Sequence, residues 1–329
     1  MAETNIGVQL EATLRSGAIG TWWTASTGGG HPLGMLQLEP SLVAEAEVRD
    51  RIAAAIIAVR DANPSGVLRT TELVVDGKRA WLVVATLPAP TLAELLSPPA
   101  PDGLAPGAAG AAPAPAAGFA PGAASGLAVD VALALRELHA AGLGHGDLAA
   151  DTVVITSGGA AMLVEVAVRD ALTNRATNLG RDTAAWATLV RELAAVASAP
   201  EAELLRAAAT TADSGDLATA ARRLADRAAD LPDYAGRESV VAARGACLAQ
   251  MPPTAPHIPQ QRSTMEPAVA PVILRFGRGI PDAAIAAAAQ RAAAPKRRRS
   301  LRGLKIAVAA VVLLLAAATA AFFLLSPLP

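Results

Sequence analysis

The chain has 329 residues, 53% apolar but only 3% aromatic, which allows one or two domains with tails and excludes a large multidomain enzyme. Residues 1–295 hold 22 basic against 29 acidic side chains, and this net charge of −7 argues against nucleic-acid binding. One cysteine, Cys247, excludes intrachain disulfides and multi-cysteine metal sites, and the four histidines show no metal-ligand spacing, so we expect no metal.

Strand-like segments dominate residues 1–96. The clearest is VVDGKRAWLVVATL, in which two apolar runs flank the Asp76-Gly77 pair, a standard signal of a β-hairpin. Residues 97–126 then hold 12 alanines, 7 prolines and 6 glycines, so this segment has nothing large to bury. We interpret it as a disordered insertion.

Apolar residues at helical spacing dominate residues 127–232. They recur over residues 127–140, 183–196 and 199–231. A β-rich first half joined to a helical second half predicts an α+β fold.

Residues 233–303 have a different composition. They mix proline-rich pieces such as MPPTAPHIPQQ with an alanine-rich helix candidate after Pro281. We interpret them as a flexible tether, with a reach of about 45 Å if the segment is wholly coil. The tether ends in a basic cluster that we expect to attract anionic lipid. The cluster consists of Lys296, Arg297, Arg298 and Arg299.

The last part of the chain has the composition of a membrane anchor. Residues 306–325 are 20 consecutive uncharged residues, long enough to cross a hydrocarbon core of about 30 Å, and we predict a transmembrane helix over 304–325. Because the basic cluster precedes it, the positive-inside rule predicts a cytoplasmic N-terminal part and a short outer tail, 326–329. No comparable run follows Met1, so we expect a single-pass plasma-membrane protein without a cleaved signal peptide.

One segment carries a family resemblance. LRELHAAGLGHGDLAADTVVITSGGAAMLVEV resembles the catalytic-loop region of bacterial Ser/Thr protein kinases, and further matches extend over about residues 5–230. The resemblance implies a bilobal kinase-like fold, with a β-rich N-lobe and hinge over 1–96 and a helical C-lobe over 127–232. It places Asp147 at the catalytic-base position. It also gives His145 and Asp182 structural roles, with Asp182 accepting hydrogen bonds from loop amides.

The other groups that a kinase uses to hold ATP and Mg²⁺ are replaced. The resemblance places Leu36 at the lysine position of the third strand, or Gln37 after a shift of one residue. The partner glutamate of that lysine falls near Ala54. Thr152 replaces the metal-binding asparagine, and Glu165 replaces the aspartate of the D-F-G motif, where its longer side chain suits an octahedral magnesium site poorly.

The glycine-rich loop is also altered. Its three glycine positions read Arg15, Gly17 and Gly20, so only Gly17 and Gly20 remain as possible nucleotide contacts. Trp22 replaces the valine that lies over adenine, and its indole would fill the pocket. Strand alternation leaves open whether Trp22 or Trp23 points inward.

These departures predict a degenerate kinase-like protein, a pseudokinase without cofactor, that acts as a membrane-anchored scaffold or regulator. The resemblance suggests membrane or cell-envelope proteins as partners and a link to cell-envelope synthesis, by analogy alone. The alternative is a divergent Ser/Thr kinase that uses ATP and Mg²⁺ with Asp147, Glu165 and a lysine from elsewhere. The only lysine in residues 1–295 is Lys78, on the Asp-Gly hairpin, which is the wrong strand for this role. A third hypothesis is a truncated receptor whose sensing domain would follow Pro329.

Overall fold

An antiparallel β-sheet forms the first lobe of the protein. The computed structural model describes residues 2–3, 8–27, 30–76, 79–86, 90–96, 119–231, 236–250 and 272–275. The strands of the first lobe are β1 (Ala2–Glu3), β2 (Val8–Ser16), β3 (Gly20–Thr27), β4 (Pro32–Leu38), β5 (Thr70–Asp76) and β6 (Arg79–Val84). A further strand from the end of the described chain, β9 (Val272–Arg275), completes the spatial order β1-β2-β3-β4-β6-β5-β9.

Helix α1 (Ala46–Ala62) covers one face of this sheet. Its buried residues, Val48, Ile52, Ile56 and Val59, recur every three to four positions and so lie on one side of the helix. The helix ends at Asn63, whose left-handed backbone (φ 51°) is typical of a residue that terminates a helix.

The second lobe is helical. It contains α2 (Leu92–Leu96), α3 (Ala123–Ala140), α4 (Val168–Thr173), α5 (Leu179–Val196), α6 (Ala199–Asp213) and α7 (Leu217–Ala228). A two-stranded sheet, β7 (Val153–Ile155) and β8 (Ala161–Leu163), follows a short 3-10 turn, Ala150–Thr152. This division into a sheet lobe and a helical lobe is the α+β arrangement that the sequence predicts.

Trp186 of α5 lies at the centre of the helical lobe. It is fully buried, and its indole N–H donates to the carbonyl of Ala128 on α3 at 2.9 Å. The sequence predicted α3 from residue 127, but the helix begins at Ala123, inside the segment interpreted as an insertion. The region 199–231, predicted as one helical span, forms two helices. Gly215, with φ of +90°, lies in the turn between α6 and α7.

The interpretation of residues 233–303 as a flexible tether is wrong for two segments. Residues Gly236–Gln250 form helix α8, which packs on α2 and α3 because Val240 and Cys247, seven positions apart, are buried on one side. Residues Val272–Arg275 form strand β9, which pairs antiparallel with the edge of β5. The composition of this region, rich in proline and small residues, did not indicate either element.

The membrane prediction concerns residues outside the described part of the chain. Among the described helices, none is both long enough and apolar enough to cross a membrane. The predicted transmembrane segment, 304–325, the basic cluster before it and the core of the predicted insertion, 97–118, all lie outside the described residues.

Candidate functional site

A buried aspartate supports the loop between α3 and β7. Asp182, in the first turn of α5, is 1% exposed. Its carboxylate accepts hydrogen bonds from the backbone amides of His145 (2.7 Å) and Gly146 (3.1 Å), the contact predicted from the sequence. It also lies 3.2 Å from Nε2 of His139. Asp182 therefore fixes the backbone of the loop that presents Asp147.

The hydrogen bonds of Asp182 control its ionisation. Burial alone would raise the pKa of the Asp182 carboxyl, but hydrogen bonds from His139, Gly146 and His145 outweigh burial and hold the pKa below its usual range. The carboxylate is therefore ionised where it contacts the loop.

Two glycines let the loop approach the acidic residues beneath it. A Cβ on Gly144 would lie 2.9 Å from Oδ2 of Asp182. Gly146 has φ of +92°, and a Cβ there would lie 2.9 Å from the carboxyl carbon of Asp170, which forms a bidentate ion pair with Arg181. Neither glycine was given a role from the sequence, although their positions on either side of His145 were a usable signal.

Asp147 is an exposed carboxylate of the loop. Its side chain is 55% exposed and lies 3.6 Å from Nε of Arg169, a weak surface ion pair. His145 beside it is fully buried, its Nδ1 accepts from the amide of Asp147 at 3.3 Å, and burial lowers the pKa of its imidazole. His145 is thus a structural residue of the loop.

Thr152 uses its hydroxyl within the loop. It is 5% exposed, and its Oγ1 lies 3.0 Å from the carbonyl of Ala149 and 3.3 Å from that of Asp147, and it accepts from the amide of Ala149 at 3.0 Å. The hydroxyl of Thr152 is therefore fully used by the backbone of its own loop.

Trp22 fills the space between the sheet lobe and the loop region. It points inward and is 3% exposed, whereas Trp23 lies on the opposite face of the sheet with its ring centroid 6.5 Å from that of Trp81. This resolves the alternation that the sequence left open. The indole N–H of Trp22 donates to Oε1 of Glu165 at 2.7 Å, joining residues 143 positions apart.

Apolar side chains surround this hydrogen bond. Leu36 of β4 is opposite Trp22 in the strand register and is 1% exposed. Both belong to a single apolar cluster that includes residues of the sheet, of α1 and of the helical lobe. Its members include Leu82 and Val84 from β6, Ile52 and Ile56 from α1, Val154 from β7, and Val164 and Val168. Packed side chains thus fill the space between the sheet lobe and the loop region, which we call the cleft.

Arg15 lies beside the indole. It is paired with Trp22 across β2 and β3, and its guanidinium carbon is 5.7 Å from the indole centroid, within reach of a cation–π contact. Burial lowers the pKa of Arg15, while the charges of Glu94, Glu165 and Asp151 oppose that shift. In the sequence, Arg15 was recognisable only as the replacement of a glycine, because the acidic residues around it, Glu94, Asp151 and Glu165, lie more than 70 positions away.

Glu165 is held in an unusual backbone conformation. Its φ is 63°, as is that of Ala167, and both are outside the usual range for residues with a Cβ. Burial raises the pKa of Glu165, and the hydrogen bond from Trp22 and the charge of Arg15 offset this only in part. In the described part of the chain, no three acidic, histidine or cysteine side chains are grouped as a metal site requires.

Three further residues named from the resemblance have simple structural settings. Ala54, near the position of the partner glutamate in the resemblance, is exposed, whereas Ile52 and Ile56 of α1 are buried in the apolar cluster of Trp22. Gly20 has a packing role, because a Cβ there would lie 1.9 Å from the carbonyl oxygen of Gln37. Gly17 closes the turn by donating its amide to the carbonyl of Gly20 at 2.8 Å.

No protein-family model matches the chain, and no curated protein matches it in sequence. Among solved structures, it is similar to the Mycobacterium tuberculosis PknI kinase domain, at 17% identity and a TM-score of 0.46, over 75% of this chain and 99% of that domain. A mutant form of that domain gives 18% identity and a TM-score of 0.46, with 75% and 100% covered. Another structure of the domain gives 17% identity and a TM-score of 0.46, over 74% of this chain and 96% of that domain.

Proposed function

We propose that this protein is a pseudokinase, a kinase-like protein without phosphoryl-transfer activity, that acts by binding other proteins. The observation that carries the proposal is the Trp22 to Glu165 hydrogen bond inside an apolar cluster. It engages the residue at the metal-binding D-F-G position with an indole from the sheet. A nucleotide would have to displace this indole to reach Asp147.

Phosphoryl transfer depends mainly on electrostatic stabilisation of the moving phosphate. At the lysine position Leu36 has no charge, and at the asparagine position Thr152 is occupied by backbone carbonyls. Arg15 is a nearby cation, but it lies over the indole among the carboxylates Glu94, Glu165 and Asp151. Asp147 therefore has no positioned phosphate to serve, and ATP and Mg²⁺ are not cofactors under this proposal.

The test is a phosphotransfer assay with labelled ATP, Mg²⁺ or Mn²⁺ and a generic basic protein. We expect neither autophosphorylation nor transfer, and no difference between the wild type and Asp147→Asn. Transfer that Asp147→Asn abolishes would contradict the proposal and favour the divergent-kinase alternative.

The proposed setting is the plasma membrane. Residues 304–325 would anchor the chain, with the N-terminal part in the cytoplasm and the basic cluster at Lys296 to Arg299 against anionic lipid. The partners would then be other membrane or cell-envelope proteins. Anchoring this protein and its partner in the same membrane raises their local concentration and so favours binding. This part of the proposal rests on sequence composition and on analogy.

Protease protection tests the topology. Protease added to intact cells should leave residues 1–303 uncut, and digestion of this part from outside would contradict the proposal. Neutralising the four cluster residues should weaken attraction to anionic vesicles by about 1 kcal/mol per charge.

A further inference from the structure

The edge of the sheet at β5 is covered by a strand from the last described part of the chain. Strand β9 pairs antiparallel with β5 over four residues, and no described strand lies on its other side. β5 is seven residues long, so β9 covers only part of this edge. An outermost strand held by one neighbour is a part of a sheet that opens easily. An open β5 would present unpaired N–H and C=O groups, to which another strand can pair.

The side chains of β5 determine which strand fits this edge. Leu73 belongs to the apolar cluster of the cleft, and Val74 belongs to a second apolar cluster, with Trp81, on the other face of the sheet. Both residues are buried. In the register of the ladder, Leu274 is opposite Leu73 and Ile273 is opposite Val74. Because successive residues of a strand face opposite sides of the sheet, a strand at this edge has to be apolar on both faces.

One position of the ladder has opposite charges. Glu72 of β5 is directly opposite Arg275 of β9. Opposite charges at directly opposed positions stabilise an antiparallel pair, and like charges there destabilise it. The sequence of β9, three apolar residues followed by an arginine, therefore matches the β5 edge in both hydrophobicity and charge.

The chain before β9 is long enough for the strand to reach a neighbouring molecule. Residues 251–271 separate α8 from β9, and a segment of this length can span up to about 70 Å. A compact domain of about 230 residues has a radius of gyration of about 17 Å, so this span exceeds the width of such a domain. β9 can therefore pair with β5 of its own chain or, through the same contacts, with β5 of a second copy.

We propose that the β5 edge is a self-association surface whose partner is β9 of a second copy of this chain. Reciprocal exchange of the two strands closes a two-fold dimer that keeps every β5–β9 pair of the single chain. A strand of the same chain competes at an effective concentration of millimolar order, so the dimer forms where copies are crowded. The inference goes beyond the proposed function, because strand exchange involves neither the cleft nor ATP, and its test can fail while the pseudokinase proposal stands.

Disulfide trapping between full-length chains in detergent tests the exchange. Both chains carry Cys247→Ser, which removes the native thiol, and one carries Val74→Cys while the other, with an affinity tag, carries Ile273→Cys. These two positions are directly opposed, and opposed residues of antiparallel strands have Cα atoms about 4.5–5.5 Å apart, within the range that a disulfide spans. After oxidation of the mixture with copper phenanthroline, we expect a disulfide-linked heterodimer. Its amount should rise about tenfold or more as the chain concentration increases from about 10 μM to about 1 mM, since exchange has to compete with pairing inside one chain.

Val75→Cys is the matched control for the acceptor strand. Val75 lies one position further along β5, so its Cβ points to the opposite face from that of Val74. Its side chain is also more exposed than that of Val74. Random collision would therefore favour trapping at Val75→Cys, whereas exchange in the observed register should favour Val74→Cys by about tenfold.

A single chain with both Val74→Cys and Ile273→Cys shows whether the strand is in place. At low concentration it should form the disulfide within one molecule, and failure to do so would overturn the proposal. If Val74→Cys impairs folding, Glu72→Cys and Arg275→Cys, which are also directly opposed, replace the pair in the mixing experiment. Absence of a heterodimer at every concentration, or equal trapping with Val75→Cys, would likewise overturn the proposal.

Discussion

The region beneath the loop and the cleft above it differ in the kind of interaction they use. Beneath the loop, Asp182 is an ionised carboxylate whose oxygens meet two backbone amides and His139. In the cleft, Trp22 and Leu36 pack among aliphatic side chains around one hydrogen bond. The fold itself needs the Asp182 hydrogen bonds, because the loop amides are buried. In the cleft, only a bound nucleotide would need polar groups.

This difference gives the two regions different sources of stability. Hydrogen bonds to buried amides stabilise the loop whether or not a ligand is present. Cleft residues that contact only protein can be large and apolar, because burying them stabilises the folded state. The two regions therefore predict different responses to mutation.

The largest effect should come from Trp22→Ala. The indole is 3% exposed and spans the lobes, so its removal should cost about 3–5 kcal/mol in the free energy of unfolding. Chemical denaturation measures this. Trp23→Ala is the control, since Trp23 is only partly buried and lies on the other face of the sheet. An equal or larger loss for Trp23→Ala would show that Trp22 does not join the lobes.

Asp182→Ala should rank second, at about 3 kcal/mol, because it leaves the amides of His145 and Gly146 without an acceptor. Asp147→Ala serves as its control and should change stability by less than about 0.5 kcal/mol, since its ion pair is exposed. Similar effects of both substitutions on the denaturant midpoint would contradict the conclusion that the buried Asp182 stabilises the loop and the exposed Asp147 does not.

Glu165→Gln should produce the smallest change, and that change should depend on pH. The pKa of Glu165 is raised in the folded protein, so the wild type loses stability as pH rises from the usual carboxyl range through the raised value. Glutamine does not titrate and keeps an acceptor for Trp22. The variant should therefore melt closer to the wild type at acidic pH and higher than the wild type at neutral pH. A difference independent of pH would show that Glu165 is not held in a desolvated site.

The sequence predicted the parts of the site that lie within continuous motifs. Asp147, His145 and Asp182 could be placed because a loop pattern and a helix start surround them. The alanine-rich stretch of α1 around Ala54 has no polar residue that would set its register from the sequence. Arg15 and the choice between Trp22 and Trp23 depend on contacts with residues more than 70 positions away, which local patterns do not contain.

Two elements of the fold were also missed because they depend on contacts between distant residues. Among the described side chains of helix α8, the buried apolar ones are Val240 and Cys247, and two such residues in a sequence of small residues do not show a helical period. Strand β9 is four residues long, and its partner β5 lies about 200 positions earlier in the chain. Both elements are defined by tertiary contacts, and composition alone predicted coil there.

The central claim is that protein occupies the nucleotide position, and a binding measurement tests it most directly. Thermal unfolding of the chain should be recorded with increasing ATP, with and without Mg²⁺. Ligand that binds only the folded state stabilises it by about 2.7 kcal/mol at 100 times its Kd, which a melting curve resolves readily. We predict an unchanged Tm up to millimolar ATP. A saturable rise in Tm that Mg²⁺ enhances would contradict the account.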